Sequence, residues 1–537
     1  MLKDLNKKQQ EAIETTEGPV LIIAGAGSGK TRALTYRVAY LIKEKKVKPW
    51  QIFAVTFTNK AAGEMKERVR ELVGIPKDAD FNSNDQPMIG TFHATCVQIL
   101  RREIHHLGYE NRFVIFDDTD QLSLMKRLMK AMQISDKNLN PKAVLGNISN
   151  AKNHLIGPDE YARKASTFFE ERVAKVYPLY QKELRKNNAL DFDDLIMITV
   201  ELFQKYESIL DKYQSRWQYV LVDEYQDTNE AQYQLVKLLA EGHRNLCVVG
   251  DPDQMIYSWR GANIQNILNF EKDYPEAKVI KLEQNYRSTQ NILKAANAVI
   301  YKNRKRVEKE LWTDNEEGSK VMLGECDSER HEADYLIQKI KEEKDFKYKD
   351  FVILYRMNAQ SRVLEEAFLR HGIPYKIIGG VRFYSRKEIK DILAYLRLIH
   401  NPYDDVSLLR IINTPPRKIG ARTLQILQEE ASQSYTSLYS VIERIDKLPD
   451  LNEGKRETFR KFRDVIKKLQ SLNGQMNASH LIKELLIESG YKKFLQNGSE
   501  EGEIRMENVW ELVSVAQKYD DLEPGVSLAT FLEEAAL

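Results

Sequence analysis

Short apolar runs and longer amphipathic stretches alternate along the first hundred residues. Val20–Ile23 and Ile52–Thr56 are continuous apolar runs of strand length, as expected for strands buried on both faces. Thr31–Lys43 and Asn59–Val73 carry apolar residues at helical spacing. This rhythm predicts a parallel sheet covered by helices on both sides. From about Arg101 the strand signal fades. Leu122–Met132, Pro141–Lys152, Pro158–Ala165 and Phe168–Asn187 predict helices, hence a helical insertion. Strand patterns return at Tyr219–Val222 and Leu246–Val249, each followed by carboxylates. A second strand-bearing region is predicted from near Val279. Its strands would be Val321–Leu323, Phe351–Tyr355 and Tyr375–Ile378, with helices at Glu329–Glu343 and Gln360–His371 between them. From Lys387 onward the pattern is mostly helical, punctuated by Pro402, Pro415-Pro416 and Gly420.

Bulk properties narrow the class without naming a chemistry. A chain of 537 residues has room for about three or four domains. Its 42% hydrophobic and 30% charged content suits a soluble globular protein. The net charge is only +2, so any nucleic-acid surface must be a local patch. Cys96, Cys247 and Cys326 are scattered, with neither metal nor disulfide spacing, which points to a reducing compartment. The polar N-terminus does not read as a signal peptide, and no apolar run approaches the roughly 20 residues that span a bilayer. The expectation is a cytoplasmic protein without a membrane partner.

The sharpest chemical signal follows the first strand. Residues 24–31 read Ala24-Gly25-Ala26-Gly27-Ser28-Gly29-Lys30-Thr31. A buried strand, a glycine-rich turn and a helix start form the layout of a phosphate-binding P-loop, although the strict pattern opens on Gly rather than Ala24. The glycines can take backbone angles closed to other residues. Their amides and the positive helix end would cradle phosphate oxygens. Lys30 would reach the β/γ-phosphates and Thr31 would ligate Mg²⁺. These residues predict binding of a nucleoside triphosphate.

Two further strand ends fit the same chemistry. Tyr219–Val222 runs into Asp223-Glu224; there Asp223 is expected to hold the metal and Glu224 to act as general base toward the attacking water. Val248-Val249-Gly250 leads to Asp251-Pro252-Asp253-Gln254, where the Gln254 carboxamide can hydrogen-bond both γ-phosphate and water. Tyr257, Trp259 and Arg260 follow closely enough to form one stacking surface for single-stranded bases. Tyr257 and Trp259 as partly buried core aromatics are an equal alternative on local sequence.

Gln9-x-x-Ala12, the P-loop, Thr56–Ala62, Thr91-Phe92-His93, Asp223–Asp227, Gly250–Ala262 and Gln284-Asn285-Tyr286-Arg287-Ser288 occur in that order. The ordered set resembles the superfamily 1 DNA helicases of the UvrD/Rep/PcrA type, nearest the PcrA branch. The resemblance runs along almost the whole chain and departs at Met255, where the family usually has Ser. It implies an α/β P-loop NTPase with RecA-like parallel-sheet domains, each carrying a mainly helical insertion. The domains would be 1–104 with 191–280, interrupted by the insertion 105–190, then 281–386, followed by the insertion 387–537.

The implied activity is a 3′-to-5′ DNA helicase and single-strand translocase driven by Mg-ATP, in repair or replication. By resemblance, Gln9 reads the adenine edge, Tyr286 stacks on the ring and Arg287 reaches the γ-phosphate. Arg32 lies beside the P-loop in the same nucleotide set. Phe57, Asn59, His93, Phe192, Tyr257, Trp259, Arg260 and Arg356 are the implied DNA contacts. The segments Ala189–Asp194, Tyr355–Arg362 and Gly379–Tyr384 resemble further family motifs. Pro415–Gly420 precedes a helix start whose amides could hold duplex phosphates, so 387–537 is a candidate duplex contact at a single-strand/duplex junction.

The chain reaches Leu537 without the family's Thr-Leu-His-x-Ala-Lys-Gly-Leu-Glu-like motif or its last arginine motif. The expectation drawn from this is an incomplete second RecA-like domain, completed by a C-terminal remainder. An alternative follows from it: a nucleotide-gated DNA-binding or partner-recruiting module that does not unwind.

Overall fold

The computed structural model describes residues 1–76, 85–134, 139–258, 261–303, 307–357, 360–378, 383–449, 451–496 and 499–536. These form two compact units, residues 1–317 with 391–537, and residues 318–390.

The larger unit is built on one parallel sheet. Its strands are β1 (Val20–Ala24), β2 (Ile52–Thr56), β3 (Met88–Thr91), β6 (Tyr219–Val222), β7 (Leu246–Gly250) and β8 (Lys278–Leu282). The spatial order is β3-β2-β6-β7-β1-β8, and every pairing is parallel. Side chains alternate between two buried layers. Leu21, Ile23, Phe53, Val55, Val220, Val222 and Val248 enter one core. Val20, Ile22, Ile52, Ala54, Leu221 and Val249 enter the other. This two-sided burial is why the strands read as unbroken apolar runs rather than alternating ones. The edge strand β8 differs, exposing Lys278 and Lys281 while burying Ile280 and Leu282. Charged residues of this kind discourage further pairing at a sheet edge. The region expected to open a second sheet near Val279 therefore closes the first.

The helical insertion is also present. Short strands β4 (Val114–Phe116) and β5 (Ala189–Asp191) pair in parallel at its base. Helices Asp118–Ala131, Pro141–Asn153, Pro158–Lys164 and Phe168–Lys186 lie between them. They enclose a separate core that includes Leu124, Met129, Ile148, Val176 and Tyr180. Beyond residue 390 the larger unit is helical. Glu453–Asn473 shows the reason, with Phe459, Phe462, Ile466 and Leu469 forming one buried stripe. No described helix is long and apolar enough to cross a membrane.

The smaller unit corrects an expectation. Helices Glu329–Glu342 and Ser361–Arg370 form as predicted and share a small core of Ala333, Ile337, Ala367 and Ile373. Val321–Leu323, Phe351–Tyr355 and Tyr375–Ile378 belong to no ladder. Leu323 is 97% exposed and Leu354 87%. Apolar β-formers make a strand only when a neighbour satisfies their backbone groups. Among the described residues these segments have no such neighbour.

Candidate nucleotide and nucleic-acid site

All six strands of the main sheet run the same way, so their carboxyl ends share one edge. Open α/β sheets bind ligands at such an edge. The P-loop follows β1, Phe57 follows β2 and Phe92-His93 follows β3. Asp223-Glu224 follows β6, Asp251–Gln254 follows β7 and Gln284–Arg287 lies just beyond β8. Topology thus brings the ordered motifs of the sequence onto one rim.

The P-loop turn leads directly into helix Lys30–Lys43, with Gly29 as its N-cap. Gly27 (φ +68°) and Gly29 (φ +86°) occupy the left-handed region, where a side chain is strained. Gly25 does not, and its requirement is different. A Cβ there would lie 2.0 Å from Leu311 Cδ2, so the position needs glycine for close approach rather than for its dihedral. The loop is braced from outside. Asn285 Nδ2 donates to Ala26 O at 2.6 Å, the Tyr286 amide to Gly27 O at 2.9 Å and Gln9 Nε2 to Ser28 O at 2.9 Å. Ser28 Oγ donates to Gly25 O at 2.8 Å. Ala24 is buried at the end of β1, whereas Ala26 is exposed. The Gly25 amide donates to Leu282 O at 3.1 Å and the Ser28 amide to Gly25 O at 3.3 Å, so the amides that open the helix at Lys30 are the ones placed for a ligand.

The charged groups converge on Lys30. Its Nζ lies 3.6 Å from Glu224 Oε2 and 3.1 Å from Gln254 Oε1. Thr31 Oγ1 donates to Asp223 Oδ2 at 3.3 Å. Burial and the neighbouring Glu224 carboxylate push the Asp223 carboxyl up to about 6. A buried carboxylate beside a hydroxyl is a natural seat for a divalent cation, which would reverse that penalty. Glu224 is a non-glycine residue at φ +52°. Its carboxylate is fixed by Gln226 Nε2 at 2.9 Å and its amide by Asp223 Oδ1 at 3.0 Å. Backbone strain of this kind costs about 1 kcal/mol and persists where the surroundings over-determine it. Tyr286 and Arg287 are exposed beside the P-loop, and the Tyr286 hydroxyl donates to Gln284 Oε1 at 2.7 Å. Arg32 is half-buried, with Nη2 3.4 Å from Asp4 O.

Toward the β3–β2 end the rim becomes aromatic. Phe57 and Tyr257 stack with centroids 5.3 Å apart, and His93 packs edge-on to Phe192 at 5.6 Å. All four rings are half-buried, which fits either a stacking surface or partly buried core aromatics. Asn59 is exposed at the start of its helix. Trp259 and Arg260 lie outside the described residues, as do Gly379–Arg382. Arg356 is exposed in the smaller unit, its amide donating to Gln360 Oε1 at 3.0 Å. At Pro415–Gly420, Arg417 is turned inward, donating to Ile411 O at 2.8 Å and Tyr395 Oη at 2.6 Å.

Lys152 and Lys309 escaped the sequence reading, and Asn285 stood in the motif 284–288 without a role of its own. Lys152 is fully buried between Asp191 Oδ2 (2.6 Å) and Asp194 Oδ1 (2.8 Å), beneath the helix that begins at Phe192. Asn285 braces the P-loop through its side chain. Lys309 is buried between Asp251 and Asp253. Lone lysines carry no local pattern. The partners of Lys309 are 56 and 58 positions away in sequence.

Comparisons with known proteins agree with this geometry. Residues 5–275 match the UvrD/REP helicase N-terminal domain and residues 280–537 the UvrD-like helicase C-terminal domain. The chain is 48% identical over 541 residues to the ATP-dependent DNA helicase PcrA of Bacillus subtilis (strain 168), covering 100% of this chain and 72% of that protein. It is 48% identical over 542 residues to the PcrA helicases of Staphylococcus epidermidis (strain RP62A) and Staphylococcus aureus (strain Mu50), covering 100% of this chain and 73% of each. These matches correct one expectation. Both helicase domains are matched, so the non-unwinding module is not favoured. The chain belongs to the UvrD/Rep helicase family.

Proposed function

We propose that this protein is an ATP-dependent DNA helicase that translocates 3′ to 5′ along single-stranded DNA in the cytoplasm, in repair or replication. The observation that carries the reading is the convergence of Lys30, Glu224 and Gln254 within 3.6 Å on the rim that also presents the Phe57–Tyr257 stack. The PcrA relatives, ATP-dependent DNA helicases by name, support it. In this assignment 1–104 and 191–280 form the first motor domain and 105–190 its insertion. Residues 281–386 belong to the second motor domain and 387–537 to its insertion.

ATP would lie against the P-loop, its phosphates on the amides of Gly29, Lys30 and Thr31 at the helix start, with Gln9 and Tyr286 at the adenine. Mg²⁺ held by Thr31 and Asp223 would neutralise phosphate charge. Lys30 balances the charge that builds on the γ-phosphoryl oxygens during transfer, and Arg287 adds a second cation there. Glu224 accepts the proton of the attacking water. Gln254 senses the γ-phosphate and passes its presence to Tyr257 three residues on.

The half-buried rings would take bases by stacking, which is sequence-tolerant because every base has a π face. Asn59, His93, Phe192, Trp259, Arg260 and Arg356 complete the DNA set. Duplex ahead of the junction would meet the helical region 387–537, through backbone amides and Lys418 rather than the inward-turned Arg417. The test is unwinding of 3′-tailed and 5′-tailed duplexes with ATP, beside Lys30→Ala. Unwinding of only the 3′-tailed duplex, lost in the variant, is expected. ATP hydrolysis without unwinding of either duplex would refute the assignment.

A further inference from the structure

We propose that Lys309 is a positioning residue for ATP hydrolysis, setting through Asp251 which end of the Gln254 carboxamide faces Lys30 and the phosphate. The Lys309 side chain is 2% exposed, with Nζ 2.5 Å from both Asp251 Oδ1 and Asp253 Oδ2. Asp251 has a second oxygen, Oδ2, which accepts from Gln254 Nε2 at 2.5 Å. An ionised carboxylate can only accept, so it must take the amide nitrogen. Gln254 Oε1 is thereby turned the other way, onto Lys30 Nζ at 3.1 Å. Orientation thus passes along four side chains, from Lys309 to Asp251, Gln254 and Lys30.

The ammonium is what keeps this chain in one state. Asp251 is 2% exposed, and a buried carboxylate deprived of its cation is strongly disfavoured. With no cation to hold Oδ1, Asp251 no longer fixes Oδ2 toward Gln254 Nε2, and the carboxamide loses the acceptor that sets its orientation.

The backbone that carries Lys309 adds a link. The Trp312 amide donates to Glu283 O at 3.1 Å, and Trp312 O accepts from the Asn285 amide at 2.7 Å. Leu311 fills the space above Gly25. One short segment therefore touches the P-loop, the Gln284–Arg287 turn and the turn that holds Gln254. A lysine whose role was only to fill space would not need two carboxylates from that turn.

The proposal rests on the reading that Gln254 faces the γ-phosphate, and the test separates the two. Lys309→Met and Lys309→Gln are made in the full chain, alone and with Gln254→Ala, and DNA-stimulated ATP turnover is measured. Lys309→Met alone should lower kcat about tenfold while KM for ATP moves less than about threefold. In the Gln254→Ala background the same change should cost less than about twofold, because the residue it acts through is gone. A full tenfold loss in that background, or an unchanged kcat for Lys309→Met alone, would overturn the proposal. Failure of both Lys309 variants to fold would also overturn it, leaving Lys309 a residue of the fold alone. A wild-type kcat for Gln254→Ala alone would instead refute the reading of Gln254, and the proposal with it.

Discussion

The two ends of the main sheet present the same backbone geometry and opposite chemistry. At the β6–β7–β1–β8 end, the side chains beyond the strands are charged or amide-bearing and bonded to one another, as in Lys30–Gln254 at 3.1 Å and Thr31–Asp223 at 3.3 Å. At the β3–β2 end they are half-buried rings in contact, Phe57 stacked on Tyr257 and His93 edge-on to Phe192. A parallel sheet delivers every carboxyl end to one edge, and the residues just after each strand decide what that edge binds. Dense charge suits phosphoryl transfer, where the protein stabilises spread negative charge. Loosely packed rings suit a ligand that must slide, because stacking does not depend on sequence. The ends are joined by the three-residue step from Gln254 to Tyr257.

Substitutions at the charged end should have the largest effects. Lys30→Ala is expected to lower DNA-stimulated ATP turnover by about 10²–10³-fold, while single-strand binding measured by anisotropy persists. Next is Glu224→Gln, which removes the proton acceptor but keeps the amide-sized side chain. A loss of kcat of at least about 10²-fold is expected, with ATP affinity nearly retained. Affinity falling in parallel with kcat would move Glu224 from the chemistry to binding.

The aromatic end should respond more mildly and in a different measurement. His93→Ala with Phe192→Ala should weaken single-strand affinity by about tenfold, since a stacked base is worth about 1–3 kcal/mol. An unchanged affinity would take this pair out of the strand path. The smallest effect is expected at the join. Met255→Ser, placed between Gln254 and Tyr257, should alter ATP consumed per nucleotide travelled by less than about threefold, because among the described residues the Met255 side chain makes no hydrogen bond to either end's network.

Much of this contrast was legible in the sequence because strands buried on both faces write themselves as apolar runs. Tyr219–Val222 and Ile52–Thr56 were predicted with the bounds they have. The strands β3, β4 and β5 were not: Gly90 and Thr91 cut short the apolar run of β3, and β4 and β5 have only three residues each. Val321–Leu323 failed in the opposite sense, because apolar composition records willingness to pair but not the presence of a partner. The P-loop was legible because its glycines are local, yet the reason for Gly25 was not, since Leu311 comes from a distant segment. Lys309 and Lys152 were invisible for the same reason, each depending on carboxylates that only the fold brings close.

The central claim is that one rim carries two chemistries linked by the Gln254–Tyr257 step. The most direct measurement is ATP turnover of Phe57→Ala/Tyr257→Ala with and without single-stranded DNA, at saturating nucleotide. DNA-stimulated turnover should fall about tenfold, far more than DNA-free turnover. An equal fall in both, or full DNA stimulation in the absence of these rings, would contradict the account.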